Sequence, residues 1–122
     1  MENKFENLDV WKRSFNLTMN IYKGLRECHD YGFKDQIQRA SVSILSNIAE
    51  GLERNRPKEI IQFLYIAKGS CGEVRAQLHL AKALGYIPSE MANTYIQQSA
   101  KISAQLYNLI QYRQSYQPIS SP

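Results

Sequence analysis

From Ile60 to Ala81 an apolar or small residue recurs at alternating intervals of four and three: Ile60, Leu64, Ala67, Cys71, Val74, Leu78 and Ala81. An unbroken spacing of this kind is the seam of a helix packed against other helices. A strand would throw successive members onto opposite faces. A helix this long cannot bury its stripe alone, so the remaining chain must supply partners.

Punctuation elsewhere agrees. His29-Asp30-Tyr31-Gly32, Arg54-Asn55-Arg56-Pro57 and Gly85-Tyr86-Ile87-Pro88-Ser89 divide the chain into four segments. Each segment is roughly twenty to thirty residues long, which suits helices far better than strands. The first runs from Leu8 to Cys28 and offers Leu8, Trp11, Phe15, Thr18, Tyr22 and Leu25 as one face. The second runs from Lys34 to Leu52. It carries one stripe of Ile37, Ala40, Ile44 and Ile48 and another of Val42, Leu45, Ala49 and Leu52, with Arg39, Ser43, Asn47, Glu50 and Arg54 in a narrow polar strip. So wide an apolar arc puts this helix at the centre or covers it again with another subunit.

The third segment runs from Pro57 to Leu84, with Pro57 at the first helical position and Gly85 as the stop. Gly69-Ser70-Cys71-Gly72 could be a turn, but the seam keeps phase across it, so a continuous helix is expected. Small residues there would let another backbone approach. The fourth runs from Ser89, a plausible N-cap, to Arg113, with Tyr95, Ile102, Leu106 and Leu109 inward. Short connections make successive helices antiparallel, which gives an all-α, up-down-up-down four-helix bundle. Residues 1–116 form a single domain on this reading, and 117–122, rich in Ser and Pro, form a flexible tail.

Composition narrows the classes. Hydrophobic residues at 43% and charged residues at 21% exclude disordered and collagen-like chains. Two cysteines, Cys28 and Cys71, make neither a metal pattern nor a disulfide framework. No apolar run reaches membrane-spanning length, and the first residues show no signal peptide, so a cytoplasmic location is expected. A net charge of +4 permits nucleic-acid binding without demanding it.

Catalytic patterns are absent. Ser70 or Cys71 with His79 is the one nucleophile–base combination, and both candidates lie more than two turns from His79 on the same helix. Neither His29 nor His79 has a glutamate three residues before it, as a bundle metal site would require. No phosphate loop or dinucleotide turn appears, so no cofactor is expected. Glu50 and Glu73 are read as salt-bridge partners or solvated residues, Glu50 in a polar network with Asn47.

Basic residues say more. Lys68, Arg75, His79 and Lys82 share a sector of about 60° on the third helix, at ~100° per residue, with no acid in it. Lys12, Lys23 and Arg26 cluster on the first helix, and Arg54, Arg56 and Lys58 crowd the second connection. Such stripes could contact phosphates or could be ordinary solvated faces. Tyr65, Tyr95, Tyr107, Tyr112 and Tyr116 could stack on bases or pack against a neighbouring subunit, and Trp11 and Phe15 are read as core anchors.

Phe5-Glu6-Asn7-Leu8-Asp9-Val10-Trp11 resembles the opening of the four-helix-bundle proteins encoded in 23S rRNA intervening sequences. Gln36 to Ile44, then Ser46-Asn47-Ile48-Ala49-Glu50-Gly51, is similar to that family's hallmark, and Lys58 to Ser70 continues it. Glu73, Gln77, Ala81, Leu84, Gly85 and Tyr86 complete the likeness. Leu45 stands where the family usually has proline, which should make the second helix more regular. Arg56-Pro57 departs from the Ser or Thr common in the family there.

The resemblance implies a bacterial homo-oligomer, a ring that is typically a pentamer, related to accessory proteins of diversity-generating retroelements. It carries over no catalytic residue. The expected function is non-enzymatic: RNA or DNA held electrostatically by Arg54, Arg56, Lys58, Lys68, Arg75 and Lys82, with Arg39 a weaker candidate because a carboxylate could claim it. The alternative is a scaffold that holds a partner protein on the uncharged Gln- and Tyr-rich face of the last helix and on the ring surface.

Overall fold

The computed structural model describes residues 5–115; the tail at 117–122 and Tyr116 lie outside the described residues. A 3-10 turn, Phe5–Asn7, precedes four helices: α1 (Asp9–Gly24), α2 (Tyr31–Leu52), α3 (Pro57–Leu84) and α4 (Ser89–Ser115). They pack antiparallel. Each helix touches its two sequence neighbours around the bundle, α4 closing onto α1, and the diagonal pairs do not meet. The helices therefore form a square, with the α1–α2 side opposite the α3–α4 side.

The α3 seam is buried along its whole length, and the helix is continuous through Gly69 and Gly72. Its end is a left-handed glycine stop. Gly85 has φ 75°, Tyr86 N–H donates to Ala81 O at 2.9 Å, and Gly85 N–H donates to Lys82 O at 3.1 Å. α2 runs unbroken through Leu45, as the missing proline allows.

Several boundaries move. α2 begins at Tyr31 rather than Lys34, because the Asp30 carboxylate accepts from Phe33 N–H at 3.2 Å and caps the helix earlier. α1 stops at Gly24, short of Cys28, and α4 continues to Ser115, past Arg113. Ser89 lies inside the first turn of α4. The Pro88 carbonyl accepts the opening helical bond from Ala92 at 2.9 Å.

The face expected of α1 holds at Thr18 and Leu25, which are buried, and is displaced by one position at Trp11, Phe15 and Tyr22. Val10, Ser14, Leu17, Thr18 and Ile21 are buried, whereas Phe15 and Tyr22 are exposed and Trp11 is half-buried. The core therefore takes the stripe with smaller residues. Ser14 tolerates burial because its hydroxyl donates to Val10 O at 2.8 Å within its own helix. Thr18 donates to Ser14 O and reaches across to Ser41 O at 3.1 Å, which ties α1 to α2.

Close approach is also redistributed. A side chain at Gly69 or Gly72 would meet nothing within 4 Å among the described residues, so no described backbone uses those glycines. Gly51 does: a Cβ there would stand 2.8 Å from Phe63 Cβ and 3.3 Å from Ile60 O. The α2–α3 contact is set by that glycine and by the Ser43–Ser70 hydroxyl pair at 2.9 Å.

Connections are latched to the core. Ile87 is buried between α3 and α4, the Tyr86 ring meets Phe33 edge-on at 5.4 Å, and Tyr86 OH donates to Asp30 at 2.6 Å. The Asp30 carboxyl is held below its ordinary range by the Tyr86 hydroxyl and the Phe33 N–H, and the same bond holds the phenol above its own.

Candidate nucleic-acid interface

The α3 basic stripe lies along the outer α3–α4 edge. Lys82 reaches across to Asn93 at 2.8 Å, while Lys68 and Arg75 lie close enough to Cys71 to act on its thiol electrostatically. Among the described residues, neither Lys68, Arg75 nor Lys82 forms an ion pair. After Glu73 the next carboxylate is Glu90, so about the last three turns of α3 carry no acid. The stripe is interleaved with Gly69, Gly72, Ala76 and Ala83, which keep this surface low. Tyr65 and Tyr107 are both half exposed.

The second connection is different. Arg54 is bonded to Glu50, stands 3.9 Å from Glu59, and lies over the Phe63 ring at 4.9 Å. Arg56 lies 4.0 Å from Glu59. Arg54 is a clamp between α2 and α3 before it is a phosphate ligand. Lys58 is exposed and outside these pairs. Arg39 is claimed by Asp35 at 2.9 Å, which holds its guanidinium pKa above the usual value. Exposed pairs of this type contribute little stability, about 0–1 kcal/mol. Their effect here is to spend the positive charge locally.

Glu50 thus partners Arg54, not Asn47. Asn47 turns back to the Ser43 carbonyl at 2.8 Å and hydroxyl at 3.0 Å. Tyr95 is buried, as its inward position on the last helix predicts, and is not available to stack on a base. Cys71 is buried and donates to Ser99 O at 3.1 Å, and burial pushes its thiol up to about 11. It is a packing residue with almost no thiolate near neutral pH. Among the described residues no group of three or more His, Cys, Asp or Glu could hold a metal ion, and no helix is long and apolar enough to cross a membrane.

Two further surfaces stand out, one that the wide apolar arc of α2 anticipated and one that the sequence reading missed. On the α1–α2 side, Phe15, Met19, Tyr22 and Val42 are exposed beside half-buried Trp11, Leu45 and Ala49. The Trp11 and Phe15 rings lie 5.3 Å apart, and Phe5, Trp11, Leu45 and Ala49, with Ser46, Glu50 and Glu53 on the polar rim, line a shallow depression of about 390 Å³. Among the described residues the buried indole N–H of Trp11 has no partner. The second stripe of α2 is therefore open within one chain. On the α1–α4 side, Arg13, Asn16, Thr94, Gln97, Gln98 and Lys101 line a polar cavity of about 330 Å³. Neither feature has a sequence motif; each needs two helices placed side by side.

The family profile of the 23S rRNA-intervening sequence protein matches residues 6–108, and the chain belongs to that family. Its fold is similar to the crystal structure of a protein of unknown function from the S23 ribosomal protein family of Bacteroides thetaiotaomicron. The TM-score is 0.78 at 28% identity, over 83% of this chain and 97% of that one. No curated protein matches the chain. The expected kinship with retroelement accessory proteins finds no support in these matches.

Proposed function

We propose that this member of the 23S rRNA-intervening sequence protein family is a non-enzymatic homo-oligomer that binds RNA or DNA through the α3–α4 edge. The observation that carries the reading is the stripe of Lys68, Arg75 and Lys82, free of ion pairs and of neighbouring acids, beside exposed Tyr65 and Tyr107. Cations placed this way neutralise phosphates and release counterions, while the low surface between them admits a backbone. Lys58 and Arg56 extend the positive field toward the second connection, and Arg54 contributes least because Glu50 and Glu59 hold it.

Assembly is the second half of the proposal. The apolar α1–α2 side is the surface that a second copy would cover, and it is opposite the basic side. Contiguous apolar patches of this kind mark interaction sites. A covering surface would also bring an acceptor to the Trp11 indole, whose unmet donor costs about 1–3 kcal/mol. A ring, if the operator closes, repeats the basic edge and sums its field.

The test is a titration of fluorescent structured RNA and matching DNA at two salt concentrations. Three phosphate contacts per chain give a slope of log affinity on log salt of about −2.7 for duplex DNA and about −2 for single strands. Arg75→Glu with Lys82→Glu should weaken binding and flatten that slope. Unchanged affinity in this variant removes the α3–α4 site. No binding of wild type at low salt favours the scaffold reading, in which the uncharged Gln- and Tyr-rich face of α4 and the ring surface hold a partner protein.

A further inference from the structure

We infer that the α1–α4 edge is a nucleotide site, a cavity that takes a phosphate on Arg13 and Lys101 and a base edge on Asn16, Gln97, Gln98 and Thr94. The ligand chemistry is that of a nucleoside monophosphate, free or as one unit of a strand. The inference stands apart from the α3–α4 stripe, which supplies none of these side chains.

The cavity is a product of register. Thr94, Gln97, Gln98 and Lys101 follow i, i+3, i+4, i+7 on α4, and Arg13 and Asn16 are one turn apart on α1. Edges between bundle helices are usually laced with opposite charges. This edge carries neutral amides instead, and its lining includes no acid and no apolar side chain. A cation finds no charge partner in this lining. A ligand that combines an anion with paired donors and acceptors satisfies both sets of groups. Asparagine and glutamine each present a donor and an acceptor in one plane, the pattern that matches the edge of a base.

The cations are prepared for this role. Asp9 accepts from Arg13 Nε at 2.6 Å and from Gln105 Nε2 at 2.8 Å, which holds the guanidinium in place and leaves its Nη groups outside that bond. These two donors hold the Asp9 carboxyl below its ordinary range, so it stays ionised and keeps Arg13 anchored at neutral pH. Lys101 is exposed and forms no ion pair among the described residues. Asn20 donates to the Gln98 carbonyl oxygen at 3.4 Å, which leaves the Gln98 amide N–H₂ free to donate. The volume, about 330 Å³, is at the small end of ligand pockets, which span about 300–1,000 Å³, and it suits one nucleotide rather than a duplex.

Equilibrium dialysis of the full chain with each of the four ribonucleoside 5′-monophosphates tests the inference, alongside anisotropy titrations with single-stranded RNA of mixed sequence. Saturable, base-dependent binding is expected, weakened about tenfold by Lys101→Glu as expected for loss of a charge-assisted contact. Gln97→Leu should flatten the preference among bases. If the free nucleotides do not bind but Gln97→Leu weakens RNA binding, the site is filled by a unit of a strand. The inference is overturned if no nucleotide binds and Gln97→Leu leaves RNA affinity unchanged. It is also overturned if all four nucleotides bind equally and inorganic phosphate displaces them with equal affinity. Either failure leaves the α3–α4 reading standing, because that reading is tested by Arg75 and Lys82 alone.

Discussion

Replacing Gly51 with alanine should destabilise the protein, although the same change in most helix interiors stabilises. Gly51 lies in the last turn of α2, where alanine gains about 1 kcal/mol of helix propensity. Against this, the new methyl would stand 2.8 Å from Phe63 Cβ and 3.3 Å from the Ile60 carbonyl. Phe63 Cβ is attached directly to the α3 backbone, so relief requires the two helices to separate. Overpacking of this type costs about 1–3 kcal/mol. The contact here is near the severe end, so a net loss of about 1–2 kcal/mol follows. At about 4 °C per kcal/mol for a chain of this size, Tm should fall by about 4–8 °C. Gly69→Ala is the control: it is helical, and the added methyl meets nothing within 4 Å. It should raise Tm by about 2–4 °C, from a gain of about 0.5–1 kcal/mol. Thermal unfolding followed by circular dichroism measures both. Gly51→Val should fall below Gly51→Ala. If Gly51→Ala raises Tm as Gly69→Ala does, the close α2–α3 approach is wrong.

Other outcomes follow from the same geometry. Asp30 titrates below its usual 3.8 and Tyr86 above its usual 10.0, both because of their shared hydrogen bond. The stability advantage of wild type over Tyr86→Phe should therefore be flat between these values. It should shrink as pH falls through the lowered Asp30 value and again as pH rises through the raised Tyr86 value; a pH-independent difference in Tm would show that the bond does not form. Cys71, with its thiol near 11, should resist alkylation at pH 8, where only about one molecule in a thousand carries the thiolate, until the fold is opened by denaturant. Phe15→Glu combined with Val42→Glu alters only exposed positions. Light scattering should find the 14.1 kDa protomer with its helicity intact, and an unchanged assembly mass would clear the α1–α2 side of any role in association.

The helices were legible because each carries local instructions. The α3 seam keeps one period from Ile60 to Ala81, Pro57 opens it and Gly85 ends it, and no neighbour is needed to read these signals. The basic stripe was legible for the same reason, since Lys68, Arg75 and Lys82 share one helix. What periodicity does not settle is which of two adjacent stripes faces inward. On α1 the larger side chains, Trp11, Phe15 and Tyr22, lost to Val10, Ser14, Leu17 and Ile21, because Ser14 and Thr18 satisfy their hydroxyls inside the bundle and let α2 come close. Charge told a similar story. Acids near Arg54 and none in the sector of Arg75 were visible in the sequence, but only the structure shows that Glu50 and Glu59 hold Arg54 while Arg75 is free of ion pairs among the described residues. Sequence by itself determined the class, the four helices and the face of α3, because those depend on intervals along one chain. Tertiary structure alone decided the Gly51 contact, the part of α1 that joins the open α2 stripe and the α1–α4 cavity, because each is a distance between residues that the chain keeps far apart.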